Sequence, residues 1–219
     1  MFATLVDFDG VLVDSEPVHL AAFNDVLAPR GIVISEREYA EQLLSKDDAA
    51  VFRTVLSRTR GTLREEEVRR LVEAKSPRFL ARFAESFRVF PGAAELLERR
   101  AARGPVGIVS GALEREIRFA LDRMGSRAVV AFIVSAERPV ASKPDPAPFR
   151  LALDELQRLG YAGPVVAIED SLGGIASAKG AGLRCAAVAH TYERGELARA
   201  GADVVAADLP SLTDALLEG

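Results

Sequence analysis

What this chain has little of narrows its role first. It has one cysteine, Cys185, so no intrachain disulfide can form. The apolar neighbours Ala186, Ala187 and Val188 mark that thiol as part of a buried strand. No apolar stretch approaches the ~20 residues that span a bilayer, so no membrane partner is expected. The N-terminus has neither a basic segment nor a signal-like apolar region, which points to a protein that stays in the cytoplasm. A basic excess is also missing: the net charge is −4 at pH 7, and no nucleic-acid partner follows from that. Lysine occurs only at 46, 75, 143 and 179 among many arginines, a bias that carries no functional reading by itself. No internal repeat, low-complexity tract, heptad or strong surface stripe is present, so a monomer or weak homodimer is expected.

What is there is enough for one good core plus an insertion, at 219 residues. The second half alternates short apolar runs with helical patterns. Residues 3–7, 106–110, 129–134, 165–168, 185–189 and 202–206 read as strands. Residues 113–124, 146–159 and 172–181 read as helices between them. Near-continuous Val/Ile/Ala runs separated by helices predict a parallel sheet buried on both faces. The fold class is therefore α/β, with a doubly wound, Rossmann-like core. Residues 16–87 break the rhythm. They read as helices over 17–28, 36–44, 47–57 and 64–85, with Pro77 expected to kink or split the last. The boundaries follow: a core of 1–15 and 88–219, and a small inserted helical domain of 16–87.

The chemistry gathers where strands end. Asp7 and Asp9 follow an apolar run at i, i+2, so they point to one side of a strand, and Gly10 lets the chain turn away. Crowded carboxylates repel one another unless a cation or a reaction uses them. Ser110 and Gly111 end the next strand, where a hydroxyl and backbone N–H groups suit a phosphate. Lys143, held between Ser142 and Pro144, supplies one positive charge. Glu169 and Asp170 add two more carboxylates. Taken singly, these are a surface lysine, a helix cap and solvated acids. In this order along one sheet edge they form a phosphate and cation site. Its oxygen-rich, histidine-poor donors favour a hard ion such as Mg²⁺.

The run from Asp7 to Ser15 resembles the first motif of the haloacid dehalogenase-like hydrolases. Ser110 fits the second motif, Lys143 the third, and Glu169-Asp170 the fourth. The segments 14–17, 143–146 and 168–171 look most like the β-phosphoglucomutase and sugar-phosphate phosphatase branch. The resemblance implies a Mg²⁺-dependent phosphatase for a small phosphorylated metabolite. Asp7 is then the nucleophile, and Asp9 the acid and base, with a raised pKa. Ser110, Gly111 and Lys143 bind the phosphoryl group, and Mg²⁺ is held by Asp7, Glu169, Asp170 and the Asp9 backbone carbonyl. It also makes the insert a cap, with residues 43–48 as its substrate loop and Lys46 on the substrate. His19, a helical turn past the first motif, is a second substrate contact. His190 reads as a loop residue.

A phosphosugar mutase shares the nucleophile and the acid and base, so the fate of the aspartyl phosphate separates the two. Leu43 and Leu44 stand where the mutase has small residues, and that favours the phosphatase. A dehalogenase would need neither Asp9 nor the acidic pair, and a phosphonate hydrolase lacks the second Asp of the first motif. A non-catalytic binding protein on this scaffold would have lost Asp7 or Asp9.

Overall fold

The computed structural model describes residues 1–44, 46–58, 64–86, 88–138 and 140–219. Residue 87, the expected last residue of the insert, lies outside them, as does Ser45 of the expected substrate loop. The strands are β1 (Ala3–Val6), β2 (Val106–Val109), β3 (Phe132–Val134), β4 (Val165–Glu169), β5 (Arg184–Val188) and β6 (Val204–Ala206). They form one parallel sheet in the order β3-β2-β1-β4-β5-β6. This is the doubly wound α/β arrangement expected from the apolar runs. The order reverses at β1, and ligands in such sheets bind beyond the strand ends at that reversal.

The chain divides into two compact units, Met1–Asp14 with Val89–Gly219, and Ser15–Arg88. In the second, α1 (Glu16–Leu27), α2 (Glu36–Glu38), α3 (Asp48–Leu56) and α4 (Glu65–Glu85) enclose their own core, which includes Phe23, Leu27, Phe52 and Val68. Asp47 caps α3, its side chain accepting from the Ala50 N–H at 2.7 Å. The stretch expected as one helix over 36–44 is α2 followed by a wider π-type turn, Tyr39–Leu43. Pro77 does not split α4, which runs through it without interruption. Its apolar face, with Val68, Leu71, Phe79 and Phe83 buried, continues on both sides of the proline.

In the sheet unit the helices are α5 (Ala93–Ala101), α6 (Glu114–Met124), α7 (Ala147–Arg158), α8 (Leu172–Gly180), α9 (Arg194–Arg199) and α10 (Asp214–Glu218). Leu5, Val109, Phe149, Ala167, Ile175 and Cys185 belong to one buried cluster. Cys185 is fully buried on β5, as its neighbours suggest, and burial pushes its thiol pKa up. Two expected strands are shorter than their apolar runs. Arg127–Val129 form a 3₁₀ turn, and only Phe132–Val134 pair as β3. At the other edge the run expected over 202–206 pairs as β6 only from Val204; just before it, Asp203 donates its N–H to the Cys185 carbonyl at 2.8 Å and its carboxylate accepts from the Cys185 N–H at 2.7 Å. Both are edge strands with one partner, so apolar residues there need not extend the ladder.

Candidate active site

The register of the sheet builds the site. Val6 lies level with Ile108 of β2 and Ile168 of β4, which brings Asp7 beside the strand ends that carry Ser110 and Glu169. The Asp7 N–H continues the ladder, donating to the Ile168 carbonyl at 2.9 Å. Gly10 then turns the chain at φ 76°, a backbone that L side chains rarely adopt. A Cβ there would also lie 2.0 Å from Asp170 Oδ2, so the turn is pressed directly against that carboxylate. At the head of α8, a Cβ on Gly174 would lie 1.8 Å from Glu169 Oε2. Ser171 caps that helix through the Gly174 N–H at 3.0 Å.

Lys143 lies in the connection from β3 to α7, further from its strand than the sequence pattern implied. Its ammonium is 2.9 Å from Asp7 Oδ1 and 2.6 Å from Glu169 Oε1, and it donates to the Val109 carbonyl at 2.8 Å. Asp7, Glu169 and Asp170 are all buried and offer carboxylate oxygens within 4.8 Å of one another. Three carboxylates against this one ammonium leave a negative balance in a poorly hydrated place. The donors are all hard oxygens, so the group fits a hard dication.

The charges feel one another. Burial raises the Asp7 pKa, Lys143 opposes the shift, and Asp9 adds to it. Burial, with the charge of Asp7, pushes Glu169 up to about 7. Burial by itself would lower the Lys143 pKa, but Asp7 and Glu169 together win and raise it.

The Ser110 hydroxyl does not cap α6. It accepts from the Ala112 N–H at 2.9 Å, in the turn where Gly111 is exposed. Asp9 bridges to Val13 along the same loop as Asp7. Asp145 closes the turn before α7, accepting from the Ala147 N–H at 2.8 Å. The two other expected substrate contacts belong to the helical unit. Lys46 is exposed on it. His19 is 7% exposed; its Nδ1 is 2.6 Å from Lys75 Nζ, and its ring stacks on Phe79 at 4.2 Å. Sequence reasoning missed Lys75, which is fully buried, and Thr191, whose hydroxyl donates to Asp170 Oδ2. Thr191 had a weak signal, a hydroxyl three residues past the end of β5.

A doubly wound sheet with three buried carboxylates at the carboxyl ends of its strands, and a half-buried lysine against two of them, defines an α/β enzyme that handles a charged ligand at an oxygen-rich site. A family model described as haloacid dehalogenase-like hydrolase matches residues 3–182, and the chain belongs to that family. It is an enzyme of the hydrolase class that this model describes. The chain is 33% identical over 208 residues to the protein CbbY of Cereibacter sphaeroides, covering 92% of this chain and 89% of that one. It is 29% identical over 217 residues to phosphoglycolate phosphatase of Rhodospirillum rubrum, covering 97% and 89%. Among solved structures it is similar to CbbY from Rhodobacter sphaeroides in complex with phosphate, at 30% identity and TM-score 0.86 over 99% of both chains. No helix of the described residues is long and apolar enough to cross a membrane.

Proposed function

We propose that this protein is a Mg²⁺-dependent phosphatase of a small phosphorylated metabolite, a sugar phosphate by class, working through an aspartyl phosphate on Asp7. The observation that carries the reading is the convergence of Asp7, Lys143, Glu169 and Asp170 at the point where the strand order reverses. The substrate class is supported by a solved relative, CbbY in complex with xylulose-(1,5)bisphosphate, at 30% identity and TM-score 0.85 over 98% of both chains.

A carboxylate oxygen of Asp7 attacks phosphorus, and the bond from phosphorus to the ester oxygen breaks. Asp9 gives its proton to the departing oxygen. Water then attacks the phosphoryl group, Asp9 takes the water's proton, and inorganic phosphate leaves Asp7 as a free carboxylate. Ser110 and the N–H groups around Gly111 hold the phosphoryl oxygens, and Lys143 balances charge on Asp7 and on phosphate. Asp7, Glu169, Asp170 and the Asp9 backbone carbonyl would hold Mg²⁺, which supplies further positive charge to the phosphoryl group. The helical unit is the cap domain, and Lys46 on it contributes to substrate choice.

The test is product analysis with Mg²⁺ and a panel of sugar and glycolytic phosphates that includes β-glucose 1-phosphate. The reading predicts free phosphate from one or a few members, abolished by chelation. Glucose 6-phosphate formed without free phosphate would replace it with a phosphosugar mutase.

A further inference from the structure

The loop that leaves β5 does more than connect it to α9. Two adjacent side chains, His190 and Thr191, reach two different parts of the candidate site. The carbonyl of Gly10 lies 2.8 Å from His190 Nδ1; a carbonyl only accepts, so Nδ1 carries the hydrogen and donates it. The imidazole is stacked on Phe90, with centroids 3.8 Å apart and planes at 16°. Phe90 in turn donates its N–H to the Leu12 carbonyl at 3.0 Å, on the same loop as Gly10. Thr191 donates its hydroxyl to Asp170 Oδ2. The two ends meet, because a Cβ on Gly10 would be 2.0 Å from Asp170 Oδ2 and 3.0 Å from Thr191 Oγ1. The turn after Asp7 and Asp9, the Asp170 carboxylate and the β5 loop are therefore packed as one piece.

We propose that His190 and Thr191 are positioning residues that lock the Gly10 turn to the Asp170 carboxylate and so fix the oxygens that take the cation. The proposal rests on the Mg²⁺ reading above. Its physical basis is general: groups that hydrogen-bond a metal-binding carboxylate orient it, and losing one typically weakens metal binding by about 10–100-fold. The two residues act on different members of the site, through a hydroxyl and through a ring, so each is separable.

The experiment is calorimetric titration of the full chain with Mg²⁺ alone, for wild type, Thr191→Val, Thr191→Ser, His190→Phe and His190→Asn. Thermal unfolding of each variant without metal confirms that it is folded. Val keeps the shape of Thr191 without its donor, and Phe keeps the stack of His190 without its donor; Ser and Asn keep a donor. The expected result is Mg²⁺ affinity lowered about tenfold or more in Thr191→Val and His190→Phe, and largely restored in Thr191→Ser and His190→Asn. A purely structural role would lower thermal stability and leave Mg²⁺ affinity in place. Wild-type affinity in both donor-free variants, or no recovery in Thr191→Ser, overturns the proposal while the metal reading stands. No Mg²⁺ uptake by the wild type overturns both.

Discussion

At the scale of single residues, Lys143 is where the electrostatics of the site balance. Its ammonium touches both Asp7 and Glu169, whose carboxyls burial already disfavours as anions. Lys143→Met would leave those two acids facing one another with no ammonium between them, at a strand end that must also receive phosphate. We expect the rate of phosphate release to fall by about 10²–10³, in the range for losing one preorganised charge-stabilising group. Lys143→Arg should not rescue it, since a planar fork does not replace a point charge held between two acids. Steady-state phosphate release at saturating Mg²⁺ checks both. Asp7, Ser110, Glu169 and Asp170 were legible in the sequence because each follows an apolar run that ends as a strand. Lys143 was legible from the Ser142 and Pro144 on either side of it although it lies well past β3. The partnership of His190 with Gly10 was not legible: a hydrogen bond across 180 residues leaves no local pattern.

At the scale of elements, the sheet was legible because its strands are buried on both faces and so read as unbroken apolar runs. At β3 and β6 the apolar runs extend past the paired residues, since one edge of each has no strand partner. The interior of the helical unit was less legible. Lys75 sits four residues after Leu71 and four before Phe79, on the stripe that faces that unit's core. A charge on an apolar stripe needs partners, and these come from elsewhere in the unit. Lys75 donates to Asp48 at the start of α3, contacts His19 on α1, and lies 4.2 Å from the Phe23 ring centroid. It therefore pins α4 to both α1 and α3. Lys75→Met keeps the apolar stem but takes the ammonium away from Asp48 and His19, and should cost about 1–3 kcal/mol of stability. Urea unfolding of the variant against wild type measures this; an unchanged midpoint and slope would remove Lys75 from the account of that unit.

At the scale of the whole molecule, the last helix is tied back to the first strand. Arg100 is fully buried; its Nε donates to Thr4 Oγ1 on β1 at 2.9 Å, and its Nη1 reaches Asp214 at 2.8 Å and Glu218 at 2.7 Å on α10. Arg103 adds a paired contact to Glu218. The Arg103 hydrogen bond, with Arg100, holds the Glu218 carboxyl down to about 2, below the ~4.3 of a free glutamate. A carboxyl depressed on folding adds stability that is complete above its unfolded pKa and disappears as pH falls through its folded one. Glu218→Gln should therefore lower Tm at pH 7, and the gap to wild type should narrow between about pH 4 and pH 2. A gap that stays constant over that range would mean the pair contributes through packing alone.

The claim on which the functional account turns is that Asp7 carries the phosphoryl group. It is tested by acid-quenching the protein during turnover of an active phosphate ester with Mg²⁺ and mapping the modified peptide by mass spectrometry. The expected result is one added phosphoryl group on Asp7, absent with chelator and absent in Asp7→Asn, which folds but does not turn over. Steady release of phosphate by Asp7→Asn at the wild-type rate, or a phosphoryl group trapped on a different residue, would contradict it.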